Sequence, residues 1–345
     1  MFANTFKKNN FDFLNSVIYF WNDDKCKSIP LLLFLLFLFW KETGSAFVES
    51  QLIQQINIEV SRQNRETFFM ATKVSIQGYE GSFHQVAAQH FFGKTVKVIP
   101  CDTFRDVIRI ASNKKESNGG VMAIENSIAG SILPNYNLLQ KSNLKIVAEV
   151  YLQIKQNLMV NPGVKLKDIR EVHSHPMAIL QCLDFLEKHG WKLMETEDTA
   201  LSARQIHQHH HKHTAAIASK LAAELYDLEI IAPNIHTLKN NYTRFLALSR
   251  IEDAKHIEEA DKASVNFHTD HSKGSLARVL TRIAEGEINL SKLQSMPIPG
   301  SDFKYSFHAD MEFDSRDQFE DVIKGIRPLT KELNIYGVYK KGLWK

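Results

Sequence analysis

A two-lobed α/β protein with a smaller βαββαβ unit behind it is predicted by three features of the chain. Short apolar runs alternate with helical patterns from Met70 to Arg250, one long extended run interrupts them near residue 150, and the pattern changes in kind from Ala263 onward. Each element can be justified in turn.

In the first set, "KVSIQG", "TVKVIP" and "GGVMAIE" read as strands, and "FHQVAAQHFF" and "TFRDVIRIAS" as helices. "LKIVAEVYLQIKQNLMV", Leu144–Val160, is a long extended segment between two α/β sets, as a crossover between lobes requires. The alternation resumes with "IREVHS", "MAILQCLDFLEKHG", "WKLMET", "DTALSARQIHQ", "TAAIAS" and "LAAELYDL". "NNYTRFLALSR", beginning at Asn240, then reads as a strand returning to the first lobe, which makes the cleft between lobes the natural place for a ligand. From Ala263 the order is strand "ASVNFHT", helix "GSLARVLTRIAEGE", strands "INLSKLQSMPI" and "DFKYSFHADMEF", helix "RDQFEDVIKGIRPL" and strand "ELNIYGVYK". That is the ferredoxin-like arrangement. The predicted organisation is a leader over 1–69, a two-lobed domain over 70–250, a solvated linker over 251–262 and the βαββαβ domain over 263–345.

Composition narrows the function classes. A 44% hydrophobic content is ordinary for a globular chain of 345 residues, and a net charge of +3 leaves no global footprint for nucleic acid. Any anionic ligand must be held by local cations. Cys26, Cys101 and Cys182 are scattered and without metal-ligand spacing, which suits free thiols in the cytoplasm. The leader holds "IPLLLFLLFLFW", 12 apolar residues where a spanning helix needs about 20. It reads as a mis-assigned start ahead of Met70, as an anchor, or as an export signal whose n-region is poor because of Asp23 and Asp24.

Several polar islands sit where strands should end, and in open α/β sheets chemistry gathers at strand ends. "GYEGSF" allows a tight turn, with Ser82 able to cap the next helix and present its free N–H groups to the cleft. "AIENSIAGSI" places Glu125, Asn126 and Ser127 directly after an apolar strand, as a binding edge or as a helix cap. "HSHPMAILQC" places Ser174 and His175 before a helix opened by Pro176, with Gln181 near its second turn. "NNYTRFLAL" sets Thr243 and Arg244 in a strand that could pack with apolar residues alone. "HQHHHKH", His207–His213, reads as the exposed end of a helix, and no metal or cofactor is predicted from it or elsewhere.

In sequence and in order, "GYEGSFHQVAAQHFF", "AIENSIAGSI", "SHPMAILQC", "TAAIASKLAAELYDL" and "NNYTRFLAL" resemble the motifs of the prephenate dehydratase family. The unit with "GSLARVL" and "INLSKLQSMP" resembles the ACT regulatory domain that many of these enzymes carry. The resemblance runs from about Lys73 to the C-terminus. It implies a catalytic domain of the type II periplasmic-binding-protein kind and conversion of prephenate to phenylpyruvate, carbon dioxide and water. It also implies catalytic roles for Thr243, Glu125, Asn126 and Ser127. Substrate contacts are expected from Ser174, His175, Gln181, Arg244, Phe245 and Ser82.

The chemistry suits these residue types. Prephenate must lose a ring hydroxyl as its ring carboxylate departs, so a proton donor at oxygen is the main need. Thr243 can polarise that C–O bond, a contribution worth about 10²–10³ in rate for a preorganised donor. Full protonation falls to Glu125, His175 or a water chain. Arg244 can grip a carboxylate bidentately. Strand neighbours point to opposite faces, however, so Arg244 can instead brace the site from behind.

In the ACT domain, the resemblance implies an L-phenylalanine site formed by Gly274, Ser275, Leu276 and Ala277 together with Gln294 and Ser295, in a homodimer or homotetramer. Gln294 and Met296 stand where the family's acid and arginine are expected, which leaves the strength of feedback open. Two alternatives remain: a dehydratase acting on arogenate, and a two-lobed binding protein without catalysis.

Overall fold

A computed structural model describes residues 72–345 apart from 255, 299, 302 and 303. The three readings of the leader concern residues outside that range. Among the described residues no helix is long and apolar enough to cross a membrane.

The first lobe comprises β1 (Lys73–Gln77), α1 (Phe83–Phe92), β2 (Lys97–Cys101), α2 (Phe104–Ala111), β3 (Gly119–Asn126), β4 (Gly130–Ser131), α3 (Leu133–Gln140) and β5 (Leu144–Gln153). The chain then enters the second lobe as β6 (Asn157–Val160), followed by β7 (Glu171–Ser174), α4 (Pro176–Gln181), α5 (Leu183–Leu186), β8 (Lys192–Glu195), α6 (Thr199–Gln208), β9 (Thr214–Ala218), α7 (Lys220–Leu225) and β10 (Glu229–Ala232). It returns to the first lobe as β11 (Tyr242–Arg250). Strand order is β2-β1-β3-β11-β5 in the first lobe and β10-β6-β9-β7-β8 in the second, and β11 runs antiparallel between β3 and β5. The two-lobed prediction thus matches the observed topology. The single helix expected over "MAILQCLDFLEKHG" is instead broken at Cys182, whose ψ of 8° leaves the helical range.

Side-chain caps start most of the helices. Ser82, Thr103, Asp198 and Ser219 accept from Gln85 N, Asp106 N, Leu201 N and Ala222 N in the opening turns of α1, α2, α6 and α7. These caps decide where each chain leaves its strand. They therefore decide where the cleft-facing loops lie.

The C-terminal unit comprises β12 (Lys262–His268), α8 (Ser275–Glu285), β13 (Asn289–Pro297), β14 (Tyr305–Glu312), α9 (Arg316–Ile326) and β15 (Glu332–Tyr339). Its antiparallel sheet has the order β13-β14-β12-β15, which is the ferredoxin-like arrangement. The last residue of the expected linker is not solvated: Lys262 begins β12, is 1% exposed and donates to Glu149 Oε1 at 3.0 Å. A buried carboxylate is the reason, because a lysine can enter a core only when its charge is matched there.

Two apolar layers sandwich the first-lobe sheet. One face packs Val74, Ile76, Val121, Ala123, Val150 and Phe245 against α1. The other joins Met122, Ile124, Tyr136, Leu246 and Leu248 to Met296, Tyr336 and Tyr339 of the C-terminal unit. The C-terminal sheet is thus continuous in packing with the back of the first lobe.

Candidate active site

The site is built where β3 and β11 meet. Their pairing matches Thr243 with Asn126 and Arg244 with Glu125, but Phe245 with Ala123, so Ile124 is an extra residue on β3. Such a bulge reverses the side-chain phase. Along β3, Val121 and Ala123 face α1, and regular alternation would send Glu125 that way too. Past the bulge it is Asn126 that joins Thr243, while Glu125 turns to the back with Arg244.

Chemistry determines the orientation of Asn126. Its Oδ1 accepts from the backbone N–H of Ile128 and of Ala129, both at 2.9 Å, and those groups can only donate. Its Nδ2 must therefore face the other way, where it reaches Asn241 Oδ1 at 2.8 Å, Thr243 Oγ1 at 2.9 Å and Tyr242 O at 3.1 Å. Two protons are shared among three acceptors. Asn241 passes the contact on, its Nδ2 donating to Gln181 Oε1 on the second lobe at 3.0 Å. A chain of three amides thus runs from Thr243 to α4. Ser127 clips the strand end, donating to Asn240 O at 3.2 Å and accepting from Tyr242 N at 2.9 Å.

On the second lobe, His175 is the N-cap of α4 and its Nδ1 accepts from Met177 N at 3.2 Å. That assigns the imidazole proton to Nε2 in the neutral ring. Ser174 is fully buried and donates to Ile217 O at 2.7 Å. Asp198, at the cap of α6, lies against Gly78 of the first lobe so closely that a Cβ on Gly78 would fall 2.5 Å from its Oδ2. Burial raises its carboxyl pKa, partly offset by the backbone N–H groups of Leu201 and Ala200 and the nearby His175.

The loop "GYEGSF" is the other half of this contact. Ser219 Oγ donates to Gly81 O at 2.5 Å, Tyr226 donates to Glu80 O at 2.8 Å, and the Arg204 guanidinium lies 4.8 Å from the Tyr79 ring centre. Gly81 is required here, since its φ is +89° and a Cβ would fall 2.9 Å from the Ala222 backbone. The lobes are closed on one another along this loop, and Ser82, 3% exposed, is covered.

Three expectations are corrected by this geometry. Glu125 is not beside Thr243: its Oε1 pairs with Lys292 of β13 at 2.5 Å, and that lysine also donates to Ser131 Oγ at 2.7 Å. The bulge at Ile124 is the reason. Arg244 offers no grip on a substrate, because its guanidinium is 4% exposed and engaged by Glu149 at 2.6 Å, by Asp310 and by the Tyr339 hydroxyl at 3.0 Å. It braces the strand from behind. Phe245 is 1% exposed and covered by the His84 ring, with ring centres 5.0 Å apart, so it floors the site without lining it. Burial drives the His84 pKa down to about 3, and its Nε2 accepts from Ala123 N.

In the C-terminal unit, Gly274 has φ of +77° at the start of α8, and Ser275 donates to Thr269 Oγ1 at 3.1 Å. Leu276 packs on the unit's core and Ala277 is exposed. On β13, Ser295 is exposed and Gln294 donates to its carbonyl at 2.9 Å. Met296, where an arginine was expected, is 3% exposed and packs in the layer against the first lobe.

Asn241 and the partners of Arg244 were missed from sequence. Asn241, 0% exposed, carried a usable signal: a short amide just before a strand, two residues from Thr243. Glu149 and Asp310 carried none, because Glu149 reaches Arg244 through the pairing of β5 with β11 and Asp310 through the packing of the C-terminal sheet behind it.

The family profile described as prephenate dehydratase matches residues 74–253. Arogenate dehydratase/prephenate dehydratase 2, chloroplastic, of Arabidopsis thaliana is 33% identical over 77% of this chain and 72% of its own. Among solved structures, prephenate dehydratase in complex with L-Phe from Arthrobacter aurescens matches with a TM-score of 0.69 at 25% identity, over 78% of this chain and 90% of that one. A structure titled as GqqA, a novel type of quorum quenching acylase, matches with a TM-score of 0.71 at 27% identity, over 78% and 98%.

Proposed function

The chain belongs to the prephenate dehydratase family, and from that premise we infer that it converts prephenate to phenylpyruvate with loss of carbon dioxide and water. The observation that carries the reading is the hydrogen bond from Asn126 to Thr243. Because the threonine oxygen already accepts, its own proton is free to be donated to a substrate oxygen.

The reaction balances with one added proton. The ring carboxylate leaves as carbon dioxide, the electrons of its C–C bond enter the ring, and the C–O bond on the opposite carbon breaks. The departing hydroxide takes up a proton and leaves as water. Thr243 stabilises charge developing on that oxygen, a role worth about 10²–10³ in rate. An alcohol is too weak an acid to complete the transfer. With Glu125 turned to the far face, His175 is the side chain we assign to this step, through the proton on Nε2. Asn241 and Gln181 hold the two lobes in register around it.

A second reading is supported by the relative named for arogenate: the same residues would dehydrate arogenate, giving phenylalanine directly. The C-terminal unit is assigned as an ACT domain binding L-phenylalanine around Gly274–Ala277 and Gln294–Ser295, in a homodimer or homotetramer. The buried free thiols Cys101 and Cys182 support a reducing, cytoplasmic setting.

The test is phenylpyruvate formation, read by its absorbance in base, from prephenate with the full chain and with Thr243→Ala. Turnover that collapses in the variant is the expected result. A folded parent that turns over arogenate and leaves prephenate untouched would replace the first reading with the second.

A further inference from the structure

Thr243 and Arg244 are consecutive on β11, Glu125 and Asn126 are consecutive on β3, and the two pairs lie opposite one another. One member of each pair faces the cleft. The other is held by the C-terminal unit, Glu125 by Lys292 and Arg244 by Asp310. We propose that Glu125 and Arg244 are positioning residues that hold Asn126 and Thr243 in catalytic register, and do so only while Lys292 and Asp310 grip them from the C-terminal sheet. The proposal rests on the dehydratase reading for its kinetic part.

The physical reason lies in the bulge. A bulged strand is locally free of one ladder interaction, so the orientation of Glu125 and Asn126 is set by what each side chain meets. On the cleft side Asn126 meets only neutral partners. On the back, Glu125 meets a lysine that is 11% exposed at its side chain, and Arg244 meets two carboxylates in a dry environment, Glu149 and Asp310. Charge-assisted bonds are about twice as strong as neutral ones, so the back face dictates and the cleft face follows. Because Lys292 and Asp310 sit on adjacent strands, β13 and β14, any shift of that edge of the sheet reaches both catalytic neighbours at once. The C-terminal unit is then a part of the catalytic apparatus.

The experiment compares Lys292→Met, Lys292→Arg, Glu125→Gln and the double variant Glu125→Gln/Lys292→Met in the full chain. Misplacing a reacting group by about 1 Å can cost up to about 10²-fold in rate, so Lys292→Met and Glu125→Gln should each lower kcat about tenfold with KM within about twofold. The double variant should be no worse than the worse single, and Lys292→Arg should recover most of the loss. Hydrogen exchange in peptides covering 121–132 and 242–250 should rise in Lys292→Met. Parental kcat in Lys292→Met would overturn the proposal, as would a loss in Glu125→Gln of a hundredfold or more that Lys292→Met does not share, since Glu125 would then be reacting itself. If the parent left prephenate unconverted, only the dehydratase reading would fall; exchange still decides the coupling, and unchanged exchange would sink it.

Discussion

Asn126 Nδ2 donates to Thr243 Oγ1 over 2.9 Å, and among the described residues no group accepts the threonine's proton in return. A hydroxyl held by its lone pair has its proton aimed elsewhere, which is what donation to a leaving oxygen requires. Replacing Thr243 with Val should lower kcat by about 10²–10³ and leave KM nearly unchanged, whereas Ser should keep most of the activity. Asn126→Asp should lower kcat as well, because a carboxylate would accept the proton that substrate needs. Steady-state kinetics on prephenate check all three.

Asn241 bridges Asn126 to Gln181, and hence one lobe to the other. Its removal takes the donor from the half-buried Gln181 Oε1 and one of three acceptors from Asn126, at a cost of about 0.5–1.5 kcal/mol. Asn241→Ala should therefore lower both stability and kcat/KM. In a double-mutant cycle with Gln181→Ala the losses should be less than additive; strict additivity would show that the bridge has no energetic meaning.

Asp310 is ionised in the fold. Burial alone would raise its pKa, but Arg244 and then His308 outweigh that effect and hold it well below the usual carboxylate range. With the unfolded value near about 3.9, the ion pair's contribution is complete above about pH 4 and is lost as pH falls through the lower folded value. Asp310→Asn should cost about 3–5 kcal/mol at neutral pH. The gap between parent and variant, measured by urea denaturation, should narrow on acidification below pH ~4 and stay constant above it.

Gly274 adopts φ of +77°, a conformation that side chains with a Cβ resist. Gly274→Ala should strain the first turn of α8 by about 1 kcal/mol and weaken L-phenylalanine binding. Calorimetric titration of both proteins with L-phenylalanine reads this. Equal affinities would move the effector site away from this turn.

Most of the strand and helix order, the long segment that became β5 and β6, the return at β11 and the βαββαβ unit were legible in the sequence, whereas α3, β4 and β10 were not read from it. Hydrophobic period and turn residues are local properties, and they specify elements almost one at a time. Thr243, Asn126 and Gln181, named for the site from sequence, do come together in one hydrogen-bonded chain. The faces on which side chains emerge were not legible in the same way. Period-two alternation correctly separates Arg244 from Thr243, yet it mis-assigns Glu125, because the extra residue at Ile124 leaves no mark in composition. Nor could any local pattern show that Lys262, at the end of a charged stretch, would be buried on Glu149. Sequence alone thus determined most of the elements and named Asn126, Gln181 and Thr243, which the fold links through Asn241. Tertiary structure decided which of them face the cleft and which face the C-terminal sheet, because that depends on a bulge and on charges brought together from residues more than 60 positions apart, such as Arg244 and Asp310.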